Sequence, residues 1–193
     1  DCRSIKMEVC MRKNIARVLL YAACTVLVVF YILVLWWGKN PKVGTEYRMY
    51  YLTHELTDWP GYGNLKYTFG TKEICKEQSN VCSRKGQGWQ KTKRYEGTKN
   101  TDKDSYIYYI PDESSDNIYL VCDITEYDTT AVGDKGIEVY VNDKLIGNID
   151  SKGTTKLKIG YVSGDELLTV KFHADNAEYT LYSISLDKGQ AET

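Results

Sequence analysis

The hydrophobic pattern divides the chain into one long apolar stretch and, after it, many short stretches in which apolar and polar residues alternate. Val18–Trp37 carries no charged side chain over about twenty residues. A helix of that length rises ~1.5 Å per residue and so crosses the ~30 Å hydrocarbon layer of a bilayer. Trp36 and Trp37 stand at its far end, where interfacial tryptophans are typical. We predict a transmembrane helix over residues 15–37.

The charges on the two sides of this helix indicate its orientation. Five basic residues precede it and about three follow it closely, namely Lys39, Lys42 and Arg48. Basic residues favour the cytoplasmic side, so we expect residues 1–14 inside the cell and the C-terminal part outside. The uncharged core is longer than a signal-peptide core and no A-x-A site follows it, which favours an uncleaved, single-pass anchor in the cell membrane.

A juxtamembrane connector is predicted between the span and the next domain, over residues 38–64. Pro41 and Gly44 prevent the helix from continuing past the membrane. Glu46–Gly63 could begin as a short interfacial turn of helix. The sequence Trp59-Pro60-Gly61 ends that turn, because proline disfavours helical backbone at the residue before it and glycine favours a turn.

From Leu65 to residue 188 the pattern is that of a β domain. Short runs rich in β-branched and aromatic residues are separated by turn residues, with no amphipathic helix between them. Alternation predicts these inward faces: Ile118, Leu120, Cys122 and Ile124; Ile137, Val139 and Val141; Leu157 and Ile159; Leu168, Val170 and Phe172; and Tyr182, Ile184 and Leu186. The run Asn142-Asp143-Lys144 predicts a hairpin turn.

About nine short strands without intervening helices imply antiparallel pairing, and two stacked sheets can bury their apolar faces against each other. We therefore predict an all-β fold, a jelly-roll-like antiparallel β-sandwich over residues 65–188, preceded by the one transmembrane helix and followed by a tail at 189–193. An up-and-down barrel fits less well, because loops such as Lys76–Gln87 and Tyr127–Lys135 are unequal.

Composition narrows the class of partner. The chain has 193 residues, with 25 Lys+Arg against 26 Asp+Glu, and the part after the span is mildly acidic. A nucleic-acid surface normally needs clustered basic residues, so no nucleic-acid partner is predicted. Tyrosine is abundant, with 17 residues against three phenylalanines. Its apolar ring and polar tip are suited to partly solvated sheet faces, which is the interpretation we favour for most of these residues, and also to sugar or protein contacts.

Cysteines after the span suggest one possible disulfide. Cys75 and Cys82 are separated by six residues in CKEQSNVC. In an extracytoplasmic domain they could form a disulfide that stabilises the fold by roughly 2–3 kcal/mol, and two unpaired thiols are the alternative. Cys122 lies on an apolar strand face, so we expect a buried and inert thiol.

No metal site or cofactor is predicted, with calcium as the alternative. His54 and His173 are the two histidines, and neither shows ligand spacing to a cysteine pair. Loop carboxylates could bind a hard cation, although no EF-hand pattern is present and turns attract aspartate anyway. These carboxylates are Asp112, Glu113 and Asp116; Asp123, Glu126 and Asp128; and Asp165 and Glu166.

The one candidate ligand-binding pair is Trp89 and Tyr95. Trp89 follows the glycine-rich entry KGQGW. An indole at a sandwich edge can stack on a sugar, and Tyr95 could extend the platform; the alternative is that Trp89 plugs the edge of the core. No nucleophile, phosphate-loop or zinc-protease motif occurs. A pair of catalytic carboxylates stays open, because their separation is a three-dimensional property.

The order of several segments resembles the extracytoplasmic β-sandwich that ends many bacterial membrane proteins of glycan assembly, including GT-C glycosyltransferases and YfhO-like proteins. The matching segments, over residues 65–188, are YTFGTKEI (Tyr67–Ile74), GW (Gly88–Trp89), IEVYVNDKLIGNI (Ile137–Ile149), LLTVKFHADN (Leu167–Asn176) and YSISLD (Tyr182–Asp187). The acidic residue and second tryptophan usual after GW are not matched, and the many-helix catalytic part is absent. The resemblance implies an accessory domain near an envelope glycan, without transferase activity.

Three functions follow from this sequence. The first is a single-pass membrane protein whose non-catalytic β-sandwich binds surface polysaccharide or a glycan-assembly partner. The second is a structural or interaction subunit, in which the span and the tyrosine-rich faces dock onto another membrane protein. The third is a membrane-tethered glycan-active enzyme, which would need two facing carboxylates in a cleft. Membrane lipid is a partner in all three.

Overall fold

A computed structural model describes residues 2–39, 42–76, 79–90, 97–129 and 135–189. The chain forms two compact units, Asp1–Val43 and Gly44–Thr193. The first unit is the helix α1, Cys2–Lys39. Its apolar part, Asn14–Lys39, has a mean hydropathy of 2.8 and buries none of its side chains, so its length and composition are sufficient to cross a membrane.

The second unit is built mainly from strands. They are β1 (Lys66–Tyr67), β2 (Glu73–Ile74), β3 (Thr98–Lys99), β4 (Asp104–Pro111), β5 (Ser115–Thr129), β6 (Ile137–Val141), β7 (Lys144–Ile149), β8 (Gly153–Val162), β9 (Leu168–His173) and β10 (Ala177–Lys188). Two short helical segments accompany them: α2 (Thr45–Tyr47), which continues into a π-helical turn at Arg48–Leu52, and α3 (Asn80–Arg84).

The strands form two sheets. Sheet A has the order β1-β4-β9-β6-β7, and sheet B has the order β2-β10-β5-β8, with β3 also paired to β10. Pairing is antiparallel except between β1 and β4, where Lys66 pairs with Ile110 in parallel. The predicted all-β sandwich preceded by one apolar helix is therefore confirmed.

Side chains from both sheets share one core, and the predicted alternation explains most of it. Ile118, Leu120, Cys122 and Ile124 of β5 are all buried. The inward positions of β6 and β9 are buried as well, including Val139 and Phe172. The prediction for β10 differs in part. Ile184 and Leu186 are buried but Tyr182 is half-exposed, because a bulge between Leu181 and Ser183 shifts the register there.

The predicted hairpin joins β6 to β7. Asn142 and Asp143 have φ values of 47° and 64°, the left-handed backbone that a two-residue turn of this kind requires. Asparagine and aspartate tolerate that region better than other residues with a side chain. The local sequence therefore determines this turn.

The segment assigned to a connector packs on the outer face of sheet A. Met49 and Leu56 are 3% and 4% exposed, and they form a second small core with Leu65, Tyr108 and Ile110. Residues 44–64 belong to the same compact unit as the strands. The outer surface of β4 is apolar enough to need such a cover, since burying a large apolar side chain stabilises the fold by about 1.5–3 kcal/mol.

Two charged residues lie inside the domain: Arg84, the last residue of α3, and Lys85, which follows it. Arg84 forms an ion pair with Glu73, and the two side chains are 4% and 6% exposed. The amine of Lys85 lies 3.2 Å from the carbonyl oxygen of Gln90 and 3.3 Å from the hydroxyl of Thr98. Burial lowers the pKa of Lys85, and the nearby cysteine sulfurs oppose that change.

Candidate ligand-binding face

Trp89 is part of the core. Its side chain is 7% exposed and packs edge-on against Phe172 and Tyr179, with ring centroids 5.7 Å apart in both pairs. Its indole N–H donates to the backbone carbonyl of Tyr106 at 2.8 Å. A buried ring cannot stack on a sugar, so the structure corrects the prediction that Trp89 is a ligand platform. Tyr95, its proposed extension, lies outside the described residues.

Two partly exposed tyrosines, Tyr106 and Tyr140, lie on the outer face of sheet A. We call this surface the tyrosine face and define it by Tyr106, Tyr140, Thr169 and Lys171, with the buried Tyr108 beside them. The register places Tyr106 of β4 opposite Lys171 of β9, and Lys171 opposite Tyr140 of β6. Adjacent strands are ~4.8 Å apart, so these three side chains form one row across three strands.

Two parallel rings stand at one edge of the tyrosine face. The rings of Tyr106 and Tyr108 are 6.4 Å apart between centroids and 7° from parallel. They border a depression of about 360 Å³ that Glu55, Gln87 and Thr169 complete. Gly86 lets the chain approach here, because a Cβ at that position would lie 2.7 Å from the Tyr108 ring. The depression therefore combines aromatic rings with a carboxylate, an amide and a hydroxyl.

Polar contacts hold the other end of the tyrosine face. The Tyr140 hydroxyl donates to Glu138 Oε2 at 2.6 Å, and the Lys171 ammonium lies 4.4 Å from the centre of the Tyr140 ring. His173, on the same face of β9 as Lys171, has its Nδ1 2.6 Å from Asp104 Oδ1. These contacts restrict the rotamers of the row before any ligand binds.

The tyrosines of this face stay protonated at neutral pH. Burial raises the pKa of Tyr108 well above its usual value, and burial together with Asp104 raises that of Tyr106. The hydrogen bond to Glu138 raises the pKa of Tyr140. A neutral phenol both donates and accepts hydrogen bonds, which suits a ligand that carries hydroxyl groups.

A second cleft lies beside the β6–β7 hairpin and has a volume of about 420 Å³. Asn142, Lys144, Tyr161 and Glu166 supply its polar groups, and Ile146 and Ile159 are among its apolar ones. Tyr161 is 64% exposed and Leu145, the neighbour of Lys144, is 49% exposed. This cleft is an alternative contact surface.

The cysteines predicted as a possible pair are thiols in the structure. Cys75 is buried and Cys82 is partly exposed, and the Cys82 sulfur lies 2.9 Å from the carbonyl oxygen of Lys76. Burial raises the pKa of Cys75 to about 12. Cys122 is buried as predicted, and burial raises its pKa well above the usual value.

Within the described ranges, no three histidine, cysteine or carboxylate side chains come together as a metal site. Three of the loop carboxylates considered for calcium have partners within the domain. Asp112 accepts a hydrogen bond from Thr68, Glu113 pairs with Lys188, and Asp165 lies 3.7 Å from Lys66. Each of these two depressions is bordered by one described carboxylate, Glu55 or Glu166. A third depression of about 400 Å³ is lined by three, Glu126, Asp128 and Glu178, so the glycan-active alternative, which needs a facing pair, stays a prediction.

The tyrosine face could have been found from the sequence. In SYIYYI the alternation that buries Ile107 and Tyr109 turns Tyr106 and Tyr108 outward. The strand order, which brings Lys171 and Tyr140 beside Tyr106, could not be predicted from the sequence. The three membrane residues singled out by the sequence, Val18, Trp36 and Trp37, lie on α1 and are 66%, 65% and 72% exposed.

Comparison with known proteins assigns no family. No protein-family model matches the chain, and no curated protein matches it. A family 6 carbohydrate-binding module from Clostridium cellulolyticum, solved in complex with xylose, is similar at a TM-score of 0.40 and 16% identity, over 63% of this chain and 100% of the module.

Two larger proteins are similar over part of their length. The insecticidal crystal protein Cry2Aa gives a TM-score of 0.30 at 14% identity, over 62% of this chain and 22% of that protein. A β-glucosidase from Kluyveromyces marxianus gives 0.27 at 15% identity, over 52% of this chain and 10% of the enzyme. At these scores the similarities carry no conclusion about a ligand.

Proposed function

We propose that the chain is a single-span membrane protein whose β-sandwich binds an envelope glycan through the tyrosine face. The observation that supports this most directly is the partly exposed ring of Tyr106, which borders the depression of about 360 Å³ and stands in one row with Lys171 and Tyr140. A sugar ring has apolar C–H surfaces and a rim of hydroxyl groups. Aromatic rings pack against the C–H surfaces, and neighbouring polar side chains form hydrogen bonds with the hydroxyl groups.

The depression supplies the hydrogen-bonding groups that such a ligand needs. Glu55 offers carboxylate oxygens, Gln87 an amide and Thr169 a hydroxyl, all within one lining. Lys171 lies between Tyr106 and Tyr140 and adds a positive charge.

The membrane part of the proposal rests on α1. Asn14–Lys39 is long and apolar enough to cross a bilayer, and basic residues are more frequent before it than after it. We place the N-terminus in the cytoplasm and the sandwich outside the cell. The resemblance to sandwich domains of glycan-assembly proteins agrees with this arrangement, and makes the domain an accessory, non-catalytic element.

The test measures polysaccharide binding by the full chain in lipid nanodiscs. Immobilised protein is titrated with soluble acidic and neutral envelope polysaccharides. We expect binding to at least one of them, weakened roughly 2- to 12-fold by Tyr106→Ala or Tyr140→Ala, because an aromatic contact contributes about 0.5–1.5 kcal/mol. Absence of binding to every polysaccharide would exclude the sugar-binding function.

Sheet B provides a matched control for these variants. Tyr119 on β5 is also half-exposed and also lies under a lysine, with Lys156 Nζ 4.3 Å from its ring centre. Tyr119→Ala therefore removes an equivalent ring and an equivalent cation–π contact from the opposite sheet. It should leave polysaccharide binding unchanged; equal losses in Tyr119→Ala and Tyr140→Ala would mean that the tyrosine face is not the site.

A protein-docking role is the second candidate, and the exposed Leu145 and Tyr161 beside the hairpin cleft favour it. Purification of the full chain in mild detergent distinguishes the two. A stoichiometric membrane-protein partner that is lost in Tyr161→Ser but kept in Tyr106→Ala would favour docking.

A further inference from the structure

An exposed group of aromatic side chains follows the apolar helix in the sequence and takes no part in the tyrosine face. We call it the aromatic cluster and define it by Tyr47, Tyr50, Tyr51, Trp59 and Tyr62. Trp59 lies at its centre, 5.4 Å from the ring centres of both Tyr51 and Tyr62 and 5.7 Å from that of Tyr50. Tyr51 is 48% exposed and Tyr62 is 74% exposed.

Contacts with the sandwich domain fix the segment that carries this cluster. Met49 and Leu56, within the same segment, are buried against β4, so the intervening Tyr51 and Leu52 point outward, and Leu52 is 48% exposed. Glu46 Oε1 accepts a hydrogen bond from the N–H of Gly63 at 2.9 Å, which ties the start of α2 to the turn after Trp59. The cluster is therefore a formed surface before it meets any partner.

Its composition is that of a membrane interface. Tyrosine and tryptophan are enriched at the headgroup level, because their rings are apolar while the phenol and indole N–H keep a polar tip. Exposed cations, Lys42 and Arg48, flank the start of the segment and suit anionic headgroups. A purely apolar docking site for protein would contain fewer polar tips.

The chain length keeps the cluster near the bilayer. Four residues separate Lys39, the end of α1, from Gly44, the start of the second unit. Fully extended, these five steps span at most ~17 Å. The headgroup layer is itself roughly 5–8 Å thick on each side. The segment that carries the cluster therefore starts within reach of the headgroups, if α1 spans the membrane as proposed above.

We propose that the aromatic cluster inserts its exposed rings into the headgroup layer of the membrane that α1 crosses. The lipid surface is the partner, and the domain is thereby held against the bilayer by two contacts, the span and the cluster. This inference rests on the proposed membrane span and is independent of sugar binding.

Tryptophan fluorescence in nanodiscs tests the inference with the full chain. The variant Trp36→Phe/Trp37→Phe leaves Trp59 and the buried Trp89 as emitters, and addition of Trp59→Phe isolates the Trp59 signal by difference. We expect lipids with a nitroxide on the headgroup to quench most of the Trp59 emission. Acrylamide in the water should quench it at most half as strongly as it quenches free tryptophan.

Two further variants keep the inference falsifiable if indole substitution disturbs the fold. Tyr51→Asp/Tyr62→Asp changes exposed rings only and should at least halve the lipid quenching of Trp59. Tyr161→Asp, at a residue that is 64% exposed elsewhere on the domain, is the matched control and should leave the quenching unchanged.

Each other result overturns the inference in a distinguishable way. If the protein resists alkaline carbonate extraction but acrylamide alone quenches Trp59, the aromatic cluster does not contact lipid. The membrane span and sugar binding are then unaffected. If carbonate releases the protein, α1 does not span the membrane, and insertion of the aromatic cluster is excluded as well. If neither quencher reaches Trp59 and the nanodisc contains two copies, a second chain covers the cluster and the lipid contact is excluded.

Discussion

Arg84 is paired with Glu73 inside the sandwich domain, between two tyrosine rings. The guanidinium carbon lies 5.5 Å from the ring centres of both Tyr67 and Tyr109. Arg84 also donates to the backbone carbonyls of Asn64 and Lys66. One side chain from α3 thus connects β2 with the segment that leads into β1, and it does so where water has little access.

Removal of the Arg84 charge should destabilise the domain strongly. Arg84→Met leaves the Glu73 carboxylate buried without its partner, and we expect the free energy of unfolding in urea to fall by about 3–5 kcal/mol. The double variant Arg84→Met/Glu73→Leu should recover most of that loss. Lys188→Met breaks an exposed pair with Glu113, 48% and 55% exposed, and should cost less than about 1 kcal/mol. Equal losses in the two single variants would contradict this.

Loss of the Tyr109 hydroxyl should do no harm. Within the described part of the chain that oxygen has no hydrogen-bond partner, so Tyr109→Phe should be neutral or stabilising by up to about 1 kcal/mol. Tyr67 is the matched control, because its hydroxyl donates to the Thr71 carbonyl and accepts from the N–H of Leu186 at 2.9 Å. Tyr67→Phe should cost about 1–3 kcal/mol in the same urea titration.

Alkaline pH should weaken the fold through its buried tyrosines. Burial raises the pKa of Tyr109 and Tyr108 well above the usual value of ~10. A folded-state pKa above the unfolded one gives stability that is complete below pH ~10 and is lost as pH rises beyond it. Burial also raises the pKa of Cys75 and Cys122, so the urea midpoint should begin to fall above pH ~8.5, the unfolded thiol value, and fall further above pH ~10, less steeply in Tyr109→Phe. Absorbance at 295 nm follows the ionisation.

Replacement of Trp89 should affect stability rather than ligand affinity. Trp89→Phe removes the hydrogen bond to the Tyr106 carbonyl and part of the packing against Phe172, for an expected loss of about 1–3 kcal/mol. Polysaccharide affinity per folded molecule should stay within twofold. Trp59→Phe, at a half-exposed indole, should cost less than about 1 kcal/mol. A loss of polysaccharide affinity in Trp89→Phe without a loss of stability would mean that Trp89 does contact the ligand.

Thiol labelling should separate the cysteines of the domain. In the native protein at pH 8 we expect iodoacetamide to modify Cys82 and to spare Cys75 and Cys122, because both are buried and burial raises the pKa of Cys75 to about 12. In urea all three should react, and peptide mass spectrometry measures each. If Cys82 reacts only after reduction, and intact mass rises by two hydrogens, the pair forms a disulfide.

The alternating strands could be predicted because their burial depends on local periodicity. Ile118 and Leu120 share a face whatever the strand pairs with, so the sequence was sufficient to assign them to the core. Trp89 shows the limit of this reasoning. It belongs to an isolated bridge with Asn100, and its burial depends on Phe172 and Tyr179, which lie more than eighty residues away in the chain.

The role of the segment before the sandwich also depends on residues that are distant in the sequence. Pro41, Gly44 and Trp59-Pro60-Gly61 interrupt the helical pattern here, which is typical of a connector. The role of residues 44–64 depends on β4, whose outer positions Tyr108 and Ile110 need a cover that the strand's own sheet does not supply. The position of Met49 and Leu56 over those residues is a tertiary contact without a periodic signal. The candidate site was incomplete in the same way, since Glu55 and Gln87 reach the depression from different loops.

The central position of β10 has a consequence for how the protein is made. Ala177–Lys188 pairs with β2, β3 and β5, yet it is the last strand of the domain to be synthesised. Until it has emerged, β5 has one bare edge and two short strands have no sheet to join. Sheet B therefore closes only after this final strand has been synthesised, and a chaperone that bound the emerging chain would meet an open sheet edge throughout that interval.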